Sequence, residues 1–393
     1  MKSKIYFLFI TLSFTGYATF AQTQTTTDGR QGNTITTAVP FLLITPDARS
    51  GAMGDVGVAL SPDVNATHWN PAKLAFMKDP YGFGLSYSPW LQKLVPDINL
   101  AYLNGYYKLD DRNTIGGSLR YFSLGNIQFV DVNQVKQGDF NPNELAVDGT
   151  FARSFGENFS LGTALRFIYS NLSGGATFSD QQTKPGTALA ADISGYYTKN
   201  NQLFGKSATV SAGLDISNIG TKMSYTDGGP KYFLPTNMRL GGAATIHADD
   251  FNDFTFALDF NKLLVPTPPI RENNDPNGKI IAGKDPNRSV PAGIFGSFSD
   301  APGGFSEELQ EVSIATGLEY WYNQQFAIRA GYFYENPNKG NRQYLSLGLG
   351  LKYNVVDLNF SYLLANQQQS PLANTLRFSL LFNFAGAAST PGR

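Results

Sequence analysis

Two histidines, His68 and His247, are all the imidazole in this chain of 393 residues, and it has no cysteine. Ser–His–Asp chemistry needs an imidazole held beside a serine and a carboxylate, and in a barrel enzyme that group sits at the outer rim. Neither histidine meets that need, because His68 precedes the first strand and His247 ends one on the inner side. No HExxH, Walker or Gly-x-Ser-x-Gly motif occurs. No catalytic residue is therefore assigned, and both histidines are read as hydrogen-bonded structural groups. Without cysteine, disulfides, thiolate metal sites and a lipid-anchored N-terminus are excluded. Asp275-Pro276-Asn277-Gly278 and Asp285-Pro286-Asn287 lack the carboxylate density of a calcium loop and read as turns. No metal and no cofactor is expected. A net charge of −1 gives no reason to expect nucleic acid as a partner.

The charges that do stand in a pattern are Arg120, Asp148, Arg166, Asp192, Asp215, Arg239, Asp259, Glu319, Arg329, Lys352, Asp357 and Arg377. Each falls at the polar parity of a segment in which every second residue is large and apolar. Asp253 to Phe260, Asp-Phe-Thr-Phe-Ala-Leu-Asp-Phe, is one such segment, and period-two alternation marks a strand with one oily and one wet face. Others are Thr209–Ser217, Asn237–Ile246, Val312–Tyr320, Phe326–Tyr334, Leu345–Lys352, Val356–Tyr362 and Thr375–Phe384. Earlier ones begin near Tyr81, Ile98, Thr114, Leu145, Phe159 and Thr187. Fourteen segments of about ten residues suit an apolar band ~25 Å tall. The oily face carries one charge, Arg153, at a strand end where it can reach the interface. The wet face is rich in glycine (Gly162, Gly213, Gly241, Gly331, Gly348), which suits a crowded lumen better than the surface of a soluble sandwich. The expected fold is all-β: a 14-stranded antiparallel transmembrane barrel. Its six basic and six acidic lumen residues favour a braced interior over an ion-selective pore.

Lys2 and Lys4, the apolar run Ile5–Phe14 and the small residues up to Ala21 read as a removable secretory signal over residues 1–21. Cleavage is placed after Ala21, with Ala18 as the other site. Connections alternate between long (89–97, 131–144, 171–186, 218–236, 262–309, 336–342, 365–373) and short (109–112, 156–158, 198–206, 248–250, 323–324, 353–354). Long loops outside and short turns in the periplasm are the habit of outer-membrane barrels. That pattern predicts an outer-membrane location, with lipid around the barrel and both termini periplasmic. The barrel is assigned to residues 81–384 and a tail to 385–393. Residues 22–80 do not alternate. Thr23–Thr37 is expected to be flexible, and the stretch from Ala48, broken by Pro62 and Pro71, to plug the lumen. Loop 262–309 is far longer than usual. It begins Pro266-Thr267-Pro268-Pro269 and carries Ile294, Phe295, Phe298 and Phe305. These four form either a lid or a partner contact, the latter because exposed apolar clusters usually meet something.

Residues 48–76 include Met53 and Gly54 of a Met-Gly-x-x-Gly-Val-Ala run, then Asn70, Pro71 and Ala72. This stretch resembles the N-terminal signature of the FadL-like outer-membrane barrels, departing at Lys73, where relatives often carry glycine. Within that superfamily the chain is similar to the PorV family of the type IX secretion system of Bacteroidota. The resemblance implies three protein partners: the translocon barrel, secreted cargo with C-terminal signal domains, and the surface sortase and attachment complex. It implies a carrier that binds and hands over cargo, without bond chemistry. The second reading is a FadL-like transporter of hydrophobic small molecules, for which the alternating lumen charges offer little apolar path.

Overall fold

The computed structural model describes residues 33–90, 97–130, 136–175, 177–178, 181–275, 277–365 and 375–384. The segment assigned as signal peptide and the tail 385–393 lie outside these. Fourteen antiparallel strands close into one barrel. They are β1 (Tyr81–Pro89), β2 (Ile98–Lys108), β3 (Asn113–Leu124), β4 (Asn143–Ser154) and β5 (Phe159–Asn171). Then come β6 (Gly186–Leu203), β7 (Lys206–Gly220), β8 (Asn237–His247), β9 (Asn252–Leu263) and β10 (Val312–Tyr322). The last four are β11 (Phe326–Tyr334), β12 (Gln343–Tyr353), β13 (Val356–Ala365) and β14 (Leu376–Phe384). The strand count agrees with the alternation in the sequence, and most strands start within two residues of the expected positions, β7 starting earlier, at Lys206.

The alternation has a direct spatial meaning. Along β1, Tyr81, Phe83, Leu85 and Tyr87 are exposed, while Gly82, Gly84, Ser86 and Ser88 are buried. Leu165 is 70% exposed on the outer face and Leu189 is 64% exposed. Apolar side chains so placed all round the wall are stable only against lipid. Exposed Tyr107, Phe155, Phe204, Phe251, Tyr322 and Tyr353 stand at the short-turn end, the depth at which aromatic rings settle between lipid and water. Arg153 sits at the same end, bonded to Asn113 at 3.1 Å. At the seam, Tyr81 pairs with Phe384, and ring stacks Tyr81–Phe384 and Phe83–Phe382, 5.1 and 4.7 Å apart, join β1 to β14. Turn chemistry closes the short end. Asp110 accepts the backbone N–H groups of Arg112 and Asn113 and the side-chain amide of Asn113. That side-chain amide and the two N–H groups hold its carboxyl below the ordinary range.

Two expectations are corrected. Residues 198–206 are not a loop: β6 and β7 stay paired to Leu203↔Lys206, leaving only Phe204 and Gly205 as the turn. The strand pair outruns the apolar band there, so Thr198 to Gln202 need no oily parity and read as loop by composition. Asn33 and the residues after it are also not free. The Asn33 amide donates to the Pro268 carbonyl and to Glu307, each at 3.0 Å. Both acceptors lie in the loop after β9, so the described residues begin at the long-loop end, whereas Phe384 lies at the short-turn end beside Tyr81. The described N-terminal residues thus do not share a side with the end of β14. Residues 33–80 run the length of the barrel before β1 begins.

Candidate functional site

Residues 38–77 form an inner segment that bonds to strands on every side of the barrel. Asp47 caps the short helix Ala48–Ala52 by accepting from Ser50 N–H, and its other oxygen takes the Trp69 indole N–H at 2.7 Å. Asn70 caps the turn Pro71–Phe76, accepting from Ala72 N–H. Its amide nitrogen donates to Val58 and Gly195 carbonyls at 2.9 and 3.0 Å. The Asn70-Pro71-Ala72 triplet therefore stops one helix, starts the next and docks on β6. Ala72 also donates to Ser194 and accepts from Ser160, reaching β5. Met53 and Gly54 lie against β10, β11 and β12. Gly54 N–H donates to Ser346 at 2.9 Å, and a Cβ at Gly331 would stand 1.9 Å from the Met53 carbonyl carbon. At Gly213 a Cβ would stand 2.2 Å from Val58 O, and at Gly162 2.3 Å from Ala72 N. At these three glycines the wall and the inner-segment backbone press together.

Apolar contacts complete the fit. Val39, Phe41 and Leu42 pack with Trp90, Leu100 and Phe122 near the long loops. Met53, Val56 and Leu60 pack with Phe333, Tyr344 and Leu363, and Val64, Leu74 and Met77 with Tyr106 and Ala152. Each such side chain, fully buried, contributes roughly 1.5–3 kcal/mol.

Ten of the twelve wall charges are buried; Lys352 and Asp357 stand at the short-turn rim, 4.0 Å apart. Some pair across the wall. Arg166 bridges Asp148 at 2.5 Å and Asp192 at 2.9 Å, and Arg239 lies 3.5 Å from Asp215 and over the Trp69 ring. Others hold the inner segment. Glu319 receives Arg49 through both carboxylate oxygens, at 3.0 and 2.8 Å, and Arg329 at 2.6 Å. Arg49 continues to Asp63 at 2.9 Å. Asp259 accepts Gly57 and Val58 N–H at 2.7 and 3.0 Å. Arg120 donates to the Leu42 carbonyl and to His68 Nδ1, at 2.8 and 2.6 Å. Arg377 lies against Gly51. Sequence reasoning missed Arg49, Asp55, Asp63 and Lys73, which lie in a stretch without alternation to mark their facing. A basic residue beside Ser50-Gly51 in a segment expected to meet wall carboxylates was the available signal. His247 bonds Asp253 at 2.7 Å, and among the described residues no carboxylate bonds His68.

Above the inner segment, at the long-loop end, lies a cavity of about 650 Å³ lined by Phe41, Ile44, Asp55, Trp90, Phe122 and Arg377 among others. Beside it the loop 264–311 is built, not loose. Lys262 bridges Glu308 and Glu311 at 2.9 and 2.6 Å, and Lys339 bridges Glu307 and Glu311 at 2.6 and 3.0 Å. Thr267 donates to Glu311 at 2.6 Å. The helices Val290–Gly296 and Phe305–Gln310 stand on this base. Of the four apolar residues singled out in the loop, Phe295 is 79% and Phe305 76% exposed, Phe298 is half-exposed beneath Lys262, and Ile294 is half-buried. Asp275 and Asp285 accept from Asn277 and Asn287 N–H, closing ordinary Asx turns.

A family model described as type IX secretion system protein PorV matches residues 26–270, which span the inner segment and β1 to β9. No curated protein sequence matches the chain. Among solved structures, the Pseudomonas putida toluene transporter TodX aligns over 87% of this chain and 99% of its own. The identity is 11% and the TM-score 0.52. A Pseudomonas aeruginosa FadL homologue covers 90% of this chain and 100% of its own, at 11% identity and TM-score 0.43. At such identity the likeness to TodX speaks for the fold alone.

Proposed function

This outer-membrane barrel belongs to the PorV family of type IX secretion system proteins, and from that membership we propose that it is a carrier. In this reading it receives secreted cargo at the translocon and hands it to the surface attachment complex. The inner segment acts as a plug, so recognition falls to the long-loop end, which faces outside. The observation that carries the reading is the braced loop 264–311, which holds two phenylalanines in the open. A lid would bury them, and exposed rings on a rigid base favour a partner surface. Its proline-rich start and ion-paired root lower the ordering cost of binding.

Phe295→Asp with Phe305→Asp is expected to leave barrel assembly and heat-modifiable migration unchanged. The same variant should weaken co-purification with the translocon or cargo at least about tenfold, as loss of two aromatic anchors would. Unchanged capture of every partner would show that the contact lies on another outer loop.

A further inference from the structure

Phe204 holds a backbone angle that its side chain disfavours. With Gly205 it makes the two-residue turn between β6 and β7, at φ 53° and 74°. Both turn positions thus lie in the left-handed region, where glycine, asparagine and aspartate are at home and a bulky residue is an outlier. Two other short turns of this barrel place Asn323 and Asn354 at such an angle, each at φ 52°. Phe204 gains little from the protein in return, because it is 93% exposed. With Leu203 it lines a hollow of about 480 Å³ on the outer wall, across β8 to β11. Residue size makes the hollow. Ala244, Phe256, Leu318 and Ala330 form one outward row across these four strands, and the alanines at its ends leave space beside the two large side chains.

Backbone strain that the fold does not need points to function, and a hollow of this size falls in the range of ligand sites, about 300–1,000 Å³. The hollow continues the lipid-facing wall. Phe204 stands at its short-turn edge, the level at which aromatic rings meet the head groups. The leaflet at that end of an outer membrane is built of phospholipid. Charge stands at the same edge. Lys206 is exposed and lies directly opposite Leu203, and residues opposite one another in an antiparallel ladder project on one side. Its ammonium therefore belongs to the face that carries the hollow. Asp249, in the turn between β8 and β9, is near enough to Lys206 to interact with its charge. A head group with an ammonium beside its phosphate satisfies both signs, and an acyl chain satisfies the hollow. We propose that this stretch of wall is a phospholipid site, with one acyl chain lying beneath Phe204 and the phosphate at Lys206.

The test uses the full chain in detergent, stripped of lipid and followed by native mass spectrometry. It is titrated with dioleoyl phosphatidylethanolamine or with dioleoylglycerol, which has the same chains and no phosphate. One phospholipid is expected to fill first, at least about tenfold more tightly than the diacylglycerol, as a charge-assisted contact implies. Phe204→Asn gives the turn a residue that suits its angles. That variant should keep or raise the urea midpoint of unfolding, yet weaken the phospholipid at least about tenfold. Ala244→Phe, which fills the hollow, should weaken both probes, and Lys206→Ser should remove the preference between them. The comparison of the two probes on the unaltered protein needs no variant to fold. Equal affinity for both probes, or a Phe204→Asn barrel that binds phospholipid as before, would overturn the assignment. Unchanged phospholipid binding with loss of a co-purifying membrane protein would give the hollow to a protein contact instead.

Discussion

Deleting residues 22–77 is expected to turn a barrel that conducts little into an open pore, seen as a large step in single-channel conductance across a planar bilayer. The inner segment bonds to β2, β5, β6, β7, β9, β10, β12 and β14, so it reaches strands all round the wall. A 14-stranded barrel is wider than its own side chains can fill. Here the wall offers mostly glycine, serine and alanine to the interior, which makes the deficit larger. With the segment gone, Asp259, Glu319 and Arg120 lose partners but gain water, so the strands should still close and the shortened protein should keep its heat-modifiable migration. An assembled, non-conducting barrel would mean that the long loops seal the mouth.

Glu319→Leu is expected to cost about 3–5 kcal/mol, the loss seen when one member of a buried ion pair is removed. The carboxylate stands between Arg49 of the inner segment and Arg329 of β11. Its loss leaves Arg329 without a carboxylate partner and Arg49 with Asp63 alone, both guanidiniums being under 10% exposed. The measurement is the urea midpoint of unfolding in detergent. Adding Arg49→Met should recover part of the loss, because one of the two buried cations that lost the carboxylate is then gone. If the double variant is no more stable than the single one, the triad does not brace the segment.

Most of the wall could be read from residue order. Asp253 to Phe260 alternates cleanly because one side of β9 meets lipid and the other meets the inner segment, and the same holds wherever both surroundings are uniform. It fails where they are not. Thr198 to Leu203 stand beyond the apolar band, so their pairing left no pattern. The inner segment has no period, since its residues are surrounded on all sides by the wall. Its direction, from the long loops down to β1, follows from contacts between distant residues such as Asn33 with Glu307. The twelve wall charges were identifiable by parity, but their balance suggested pairing among themselves. In the structure Glu319, Asp259 and Arg120 hold the inner segment instead. In the long loop, composition could not separate Ile294, half-buried in its helix, from Phe295, which points outward one residue later.

The central claim is that this barrel works by holding other proteins and not by conducting small molecules. Affinity purification of the intact protein from its native membranes, with identification of what co-purifies, tests it most directly. The account predicts a translocon barrel and exported polypeptides in the eluate. An eluate free of both, from cells whose uptake of a hydrophobic solute depends on this protein, would contradict it and return the chain to the transporters whose fold it shares.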